Sequence, residues 1–355
     1  MKIILTGGGT AGHVVPNLAL VPELLEAGFE IHYIGGKGSM EQGLAEGAGL
    51  VYHGVSTGKL RRYLSLKNFT DAFRVVKGIN DARKILKKIK PDVIFSKGGF
   101  VVVPVVYAAK MAKIPVIIHE SDITVGLANK LAIPHAKKVC YVFPEALAGL
   151  PADKAVRTGT PLRKEILNGS ALKGAEMCGF SDDKPVLMVM GGSSGSAAIN
   201  NLIRECLPKI TSDFNVLHIC GQGNRDDSLE SGIYRQFEYV TNGIGNLLAL
   251  CKIIVSRAGA NSLAEILALN KPNILIPLPK GVSRGDQILN AESYEKQGFS
   301  MVLREEALTP EILAGAIKIV YADRGAYQAA MRLACQDAGE PTAEIVRIIK
   351  ETVGL

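Results

Sequence analysis

Two glycine-rich stretches carry the residue types that can hold a phosphate-bearing ligand. The first is Thr6-Gly7-Gly8-Gly9-Thr10-Ala11-Gly12-His13 and the second is Met190-Gly191-Gly192-Ser193-Ser194-Gly195-Ser196. Each follows an apolar run and precedes a helical pattern. Glycine at such a turn lets backbone approach a ligand closely, and a helix start offers unpaired N–H groups with a partial positive charge. Ser193 and the amides beside it suit a diphosphate. His13, directly after the first turn, has the chemistry of a general base or hydrogen-bond donor. Asp122, in His119-Glu120-Ser121-Asp122, is a second candidate base, while Glu120 reads equally well as a hydrogen-bonded structural carboxylate. Arg257-Ala258-Gly259-Ala260-Asn261-Ser262-Leu263-Ala264-Glu265 reads as a turn and a helix start, where Glu265 can accept two bonds from a ribose diol. Arg257 before that turn, and Asp286, Gln287 and Asn290 after the next apolar run, add polar groups in neighbouring loops. Arg163 can pair with phosphate.

The same residues disfavour other chemistries. Gly7, Gly9 and Gly12 spell the dinucleotide pattern, which also expects an acid at the end of the second strand to hold the ribose. That run, Ile31-His32-Tyr33-Ile34, ends in Gly35-Gly36-Lys37, and Glu30 stands at its wrong end. An NAD-dependent oxidoreductase is therefore disfavoured. The second turn lacks the lysine of a P-loop. No Asp-x-Asp occurs anywhere, so no metal is expected at a diphosphate, and helix N-termini and arginine must carry that charge instead. The six cysteines form no C-x-x-C pair and are expected to be buried free thiols in a reducing compartment.

The elements that position these loops are apolar, β-branched runs alternating with helical patterns. Strands are expected over Lys2–Thr6, Glu30–Ile34, Val93–Ser96, Val116–His119, Lys138–Val142, Pro185–Met190, Asn215–Cys220, Phe237–Val240, Ile253–Ser256 and Asn273–Pro277. This pattern predicts an α/β fold of two Rossmann-like domains, 1–162 and 163–339, whose parallel sheets face each other across a cleft. Asn168–Lys184 reads as a weakly patterned leader into the second domain, and a last helix near Thr342–Val353 could pack on either. In such sheets ligands bind outside the carboxyl ends of the strands, which is where the polar loops lie. Only Lys2 precedes the first apolar run, so no leader is expected, and no run approaches the ~18 residues of a spanning helix.

The formal charge of +7 is concentrated. Residues 57–90 hold eleven basic groups against Asp71 and Asp81. Within them Arg61, Arg62, Lys67, Arg74 and Lys77 accompany Phe69, Phe73 and Val76, the last three at helical spacing. An ordinary amphipathic surface helix would look similar, but the charge density favours a patch that meets anionic lipid head groups. No recognition motif or aromatic series supports nucleic acid as the partner.

Taken in order, these residues closely resemble the MurG family of lipid-linked GlcNAc transferases. The resemblance covers almost the whole chain. It includes Gly8-Gly9-Thr10-Ala11-Gly12-His13, Lys97-Gly98-Gly99-Phe100, His119-Glu120, Gly126-Leu127-Ala128-Asn129-Lys130, Gly159-Thr160-Pro161-Leu162-Arg163, Gly191-Gly192-Ser193, Arg257-Ala258-Gly259-Ala260, Glu265 and Asp286-Gln287 with Asn290. It implies a GT-B architecture, with a C-terminal helix of about residues 340–355 returning to the first domain. It also implies inverting transfer of GlcNAc from UDP-GlcNAc to the C4 hydroxyl of muramyl-pentapeptide on undecaprenyl diphosphate, at the cytoplasmic face of the cell membrane.

Carried over by position, the resemblance puts Thr10, Ala11, Gly12, Arg163 and Ser193 at the donor, with the backbone near Thr241 against uracil. Ala260, Asn261, Ser262 and Glu265 would hold diphosphate and ribose, and Gln287, beside Asp286, the GlcNAc. His13 is a candidate for catalysis, and Gly98, Gly99 and Asn129 fall on the acceptor side. The chain departs from the family at Ala11, often glycine, at Ser121-Asp122, usually Gln-Asn, and at Asp286, usually glutamine. A UDP-GlcNAc 2-epimerase shares the fold and the donor and is the nearest rival. A non-enzymatic membrane-binding module built on residues 57–90 is the rival of a different class.

Overall fold

The computed structural model describes residues 1–58, 67–192, 195–240, 242–281 and 285–355; the side chains of residues 67–72 and 337–338 lie outside that description. The chain forms two compact units, Met1–Arg163 with Ala338–Leu355, and Lys164–Asp337.

The first unit is built on strands β1 (Lys2–Thr6), β2 (Glu30–Gly36), β3 (Val51–Val55), β4 (Val93–Ser96), β5 (Val116–Glu120), β6 (Lys138–Tyr141) and β7 (Ala155–Arg157). They lie in the order β3-β2-β1-β4-β5-β6-β7, and every pairing is parallel. Ile3, Ile4 and Leu5 on β1 have no exposed surface, although successive side chains point to opposite faces. Both faces are therefore covered, which is why this strand reads as an unbroken apolar run. The C-terminal helix, Pro341–Val353, places Ile345, Val346, Ile348 and Ile349 in this unit's core beside Leu20 and Leu24. Glu340 caps its start by accepting from the N–H groups of Thr342 and Ala343.

The second unit repeats the plan with β8 (Val186–Met190), β9 (Asn215–Ile219), β10 (Tyr234–Phe237), β11 (Ile253–Ser256), β12 (Asn273–Leu275) and β13 (Met301–Val302), in the order β10-β9-β8-β11-β12-β13. In each unit the strand order reverses at one place, between β1 and β4 and between β8 and β11. In each unit the loops leaving those two strands thus flank the crevice at which a sheet of this kind binds ligands.

The sequence reading differs from this in a few places. It passes over β3, β7 and β13, which are short or carry Gly54 and His53 in place of a continuous apolar run. The strand expected at Phe237–Val240 lies three residues earlier, where Tyr234–Phe237 pairs with Val216–Ile219. The stretch read as weakly patterned contains the helix Ala171–Cys178, with Ser170 accepting from Lys173 N and Gly179 ending it in the left-handed region. All six cysteines are free, and five are buried.

Candidate active site

The first glycine turn leaves β1 and closes as a 3₁₀ turn, Ala11–His13. Three side chains from behind hold its backbone, and Thr6 ties its base to β2. Tyr33 on β2 donates its hydroxyl to Gly7 O (2.8 Å), and Asn17 Nδ2 donates to Thr6 O (3.1 Å). Glu41, only 1 % exposed, accepts from Gly36 N (3.0 Å) and Gly9 N (3.5 Å). Thr6 Oγ1 donates to Ile34 O (2.9 Å). Glu41 therefore occupies the end of β2 from which a dinucleotide-binding acid would reach a ribose, and its carboxylate is spent on the turn itself. This acid lies five residues beyond the strand end at which the dinucleotide pattern expects one. The only signal was an acid in the first turn of the helix Met40–Gly47.

At the tip of this turn, His13 is half-buried and its Nδ1 lies 3.1 Å from Thr10 Oγ1. Thr10 and Gly12 are exposed and Ala11 is half-buried. The loop after β4 packs directly alongside. Gly8 N donates to Gly98 O (3.3 Å), Lys97 N donates to Thr6 O (2.9 Å), and Gly98 and Gly99 both adopt positive φ (100° and 85°). A side chain at Gly99 would collide with the Gly8 backbone, so this close approach of two loops requires glycine.

The loop after β5 holds Asp122. Its frame is Glu120, which accepts from Asp122 N (3.1 Å), Gly126 N (2.9 Å) and Asn129 Nδ2 (2.9 Å). Burial pushes the Glu120 carboxyl up, and these N–H donors oppose the shift. Glu120 thus braces this loop, and Asp122 is the carboxylate displayed at half exposure. Asn129 is buried, with its amide bonded to Glu120 and to His119 O (3.3 Å). Lys97 Nζ donates to His119 Nδ1 (2.9 Å) and to Ser121 Oγ, and His119 Nε2 donates to Gly159 O (2.7 Å). Arg163 is half-buried at the end of this unit's first segment.

In the second unit the glycine turn leaves β8 and ends at Ser196. That residue caps the helix Ala197–Ile210 by accepting from Ile199 N (3.4 Å). Gly192 and Gly195 have φ of 95° and 74°. Arg257, which follows β11, is 6 % exposed. Its guanidinium donates to Ile276 O (3.0 Å), Pro277 O (3.3 Å) and Ser196 Oγ (2.7 Å), and pairs with Glu305 at 2.5 Å. Arg257 thus clamps the second glycine turn to the loop after β12.

The helix Ala260–Ala268 starts at Gly259 and carries Ala260, Asn261, Ser262 and Glu265 half-buried on its first turns. The helix Asp286–Lys296 begins with Asp286 and Gln287. Gln287 Oε1 accepts from Leu278 N (3.1 Å), and Asn290 Nδ2 donates to Ala258 O (3.2 Å), so this helix is pinned to the loop that starts its neighbour. Ser193, Thr241, Arg61 and Arg62 lie outside the described residues, as do the side chains of Lys67 and Phe69. On the helix Lys67–Ile89, Phe73 and Val76 are 77 % and 65 % exposed, with Arg74 and Lys77 exposed beside them.

Residues 3–141 match the glycosyltransferase family 28 N-terminal domain, and residues 186–346 match the family's C-terminal domain. A Clostridium botulinum (strain Langeland) protein is 53 % identical over 351 residues, spanning 99 % of both chains. One from Clostridium tetani is 54 % identical over 327 residues, spanning 92 % of this chain and 91 % of its own. Both are named UDP-N-acetylglucosamine–N-acetylmuramyl-(pentapeptide) pyrophosphoryl-undecaprenol N-acetylglucosamine transferase. Among solved structures, Acinetobacter baumannii MurG superposes with a TM-score of 0.76 at 24 % identity, covering 99 % of each chain. The calicheamicin glycosyltransferase CalG4 superposes at 0.72 with 15 % identity, covering 99 % of this chain and 98 % of its own. Both structures share the two-domain GT-B fold.

Proposed function

The chain belongs to glycosyltransferase family 28 and is an N-acetylglucosamine transferase, and on that premise we propose how its residues share the reaction. The donor is UDP-GlcNAc, and the acceptor is muramyl-pentapeptide carried on undecaprenyl diphosphate. The observation that carries this is identity above one half, over the whole chain, with relatives named for that transfer. The acceptor C4 hydroxyl attacks the anomeric carbon from the face opposite UDP. The C–O bond to UDP breaks as the new glycosidic bond forms, and the configuration inverts. One displacement suffices, so no enzyme nucleophile is used.

His13 or Asp122 takes the hydroxyl proton. Each is held at a loop tip by backbone bracing, which places a base without ordering cost at the moment of reaction. The second unit takes UDP. Glu265 accepts from the ribose hydroxyls, and the amides at the start of the helix Ala260–Ala268, with Ser193 and the turn around it, meet the diphosphate. The uracil lies against the backbone near Thr241. Thr10, Ala11 and Gly12 meet the donor sugar, Arg163 the diphosphate, and Gln287 with Asp286 the GlcNAc. No metal takes part: the helix N-terminus and oriented amides stabilise the leaving diphosphate. Gly98, Gly99 and Asn129 shape the acceptor side.

The exposed Phe73 and Val76, ringed by Arg74 and Lys77, seat the protein peripherally on anionic lipid at the cytoplasmic face. Among the described residues no helix is long and apolar enough to cross a membrane. The test is UDP release followed with and without a soluble lipid-linked muramyl acceptor. Release that depends on the acceptor is expected, and release without it would replace transfer by epimerase chemistry.

A further inference from the structure

Lys97 is 2 % exposed, yet it is an ammonium in a region packed like a core. Burying such a group is costly unless its charge is used, and a methionine of similar length would fill the space without that cost. Burial pulls Lys97 down to about 8, while the nearby Glu120 and Asp122 carboxylates work in the opposite direction. Glu120 acts on Lys97 more strongly than Asp122 does, but its own oxygens accept from the neutral donors Asp122 N, Gly126 N and Asn129 Nδ2. The Lys97 ammonium turns instead to Ser121 Oγ, the residue immediately before Asp122, and to His119 Nδ1, three residues before it.

An ammonium only donates, so His119 Nδ1 carries a lone pair and Nε2 carries the proton given to Gly159 O. Burial holds His119 well below its ordinary range, which fits that neutral tautomer. Lys97 is also bonded through its own backbone to Thr6 O, at the base of the turn that ends in His13. One residue therefore ties the loop bearing Asp122 to the turn bearing His13.

We propose that Lys97 is a positioning residue for the transfer: through Ser121 and His119 it fixes the loop after β5 that carries Asp122. This rests on the reading of Asp122 as a group at the reacting hydroxyl. Ser121 and Asp122 then belong with Lys97 as one unit, and they are one of the three departures from the family's pattern.

The experiment is a double-mutant cycle on the full chain, with kcat and KM measured for donor and acceptor separately in detergent micelles with a soluble lipid-linked acceptor. K97M is expected to lower kcat by about 30-fold or more, with donor KM within about threefold. In the D122N background the same change should cost under about threefold, because the carboxylate that the loop presents is gone; a tenfold coupling corresponds to about 1.4 kcal/mol. S121A removes one bond and leaves the buried charge, so it folds even if K97M does not, and it should lower kcat several-fold. An equal cost of K97M in both backgrounds overturns the proposal, as does S121A with unchanged kcat. Failure of the transferase reading looks different: the unmutated protein then makes no glycosylated product at all.

Discussion

Replacing Arg257 by methionine separates two uses of a buried guanidinium. Its partners are all internal: the carbonyls of Ile276 and Pro277, the hydroxyl of Ser196 and the carboxylate of Glu305. Removing one partner of a buried ion pair costs about 3–5 kcal/mol. Glu305 keeps a quarter of its side chain exposed and can be partly rehydrated, which favours the lower end. The two carbonyls lose a charged donor, and each buried group left unsatisfied costs about 1–3 kcal/mol unless water replaces it. A loss of about 4 kcal/mol in the second unit is therefore expected. At roughly 2–4 °C per kcal/mol for a unit of this size, its thermal midpoint should fall by about 8–16 °C. Differential scanning calorimetry on R257M reads this directly, and R257M/E305Q, which removes the orphaned charge, should recover a good part of it. UDP affinity by titration calorimetry, measured well below the lowered midpoint, should fall by less than about tenfold. A midpoint within about 1 °C of the parent, together with a hundredfold loss of UDP affinity, would refute the clamp and make Arg257 a ligand contact.

Other outcomes follow from the same structure. H13A and D122N should be compared for turnover and donor affinity: the one that removes the base should lose about 10²–10⁴ in kcat while UDP binding stays within a few-fold. If both retain full turnover, the base lies elsewhere. His218 donates from Nε2 to Asn200 Oδ1 (3.0 Å), accepts at Nδ1 from Tyr234 (2.7 Å), and is pulled down to about 3, mainly by burial and then by Arg204. Between pH 6.5 and about 3 the unfolded chain binds a proton there that the folded chain refuses, so this contribution to stability is present above pH 6.5 and lost on acidification. Urea midpoints of the second unit should fall through that window, and less steeply in H218N. F73S/V76S should reduce co-sedimentation with vesicles containing anionic lipid, while turnover on a soluble acceptor is retained. Unchanged sedimentation would remove this helix from the membrane contact.

Much of the fold could be read because parallel strands buried on both faces are continuous apolar runs. The strands missed were those at or near sheet edges, such as Val51–Val55 with His53 and Gly54 within it, where only part of the surface is covered. The glycine turns were legible for a similar reason: a turn that must approach another backbone closely admits little else, as Gly99 against Gly8 shows. The bracing residues were not. Asn17, Tyr33 and Glu41 reach Thr6, Gly7 and Gly9 from 11, 26 and 32 residues away, and no local pattern marks such pairings. Arg257 was visible as a charged residue at the right loop, but its direction depends on where β12 ends and on Glu305, far along the chain. Sequence finds the loops that face a ligand more readily than it tells which side chains face the ligand and which face the protein.

The central claim is inverting transfer of GlcNAc to a C4 hydroxyl, and the product's linkage tests it most directly. With UDP-GlcNAc and a soluble polyprenyl-diphosphate muramyl-pentapeptide, proton and carbon NMR of the purified product should show one β-linked GlcNAc on the muramyl C4, in a one-to-one ratio with UDP released. An α-linkage, attachment at another hydroxyl, or UDP formed without any disaccharide product would contradict the account.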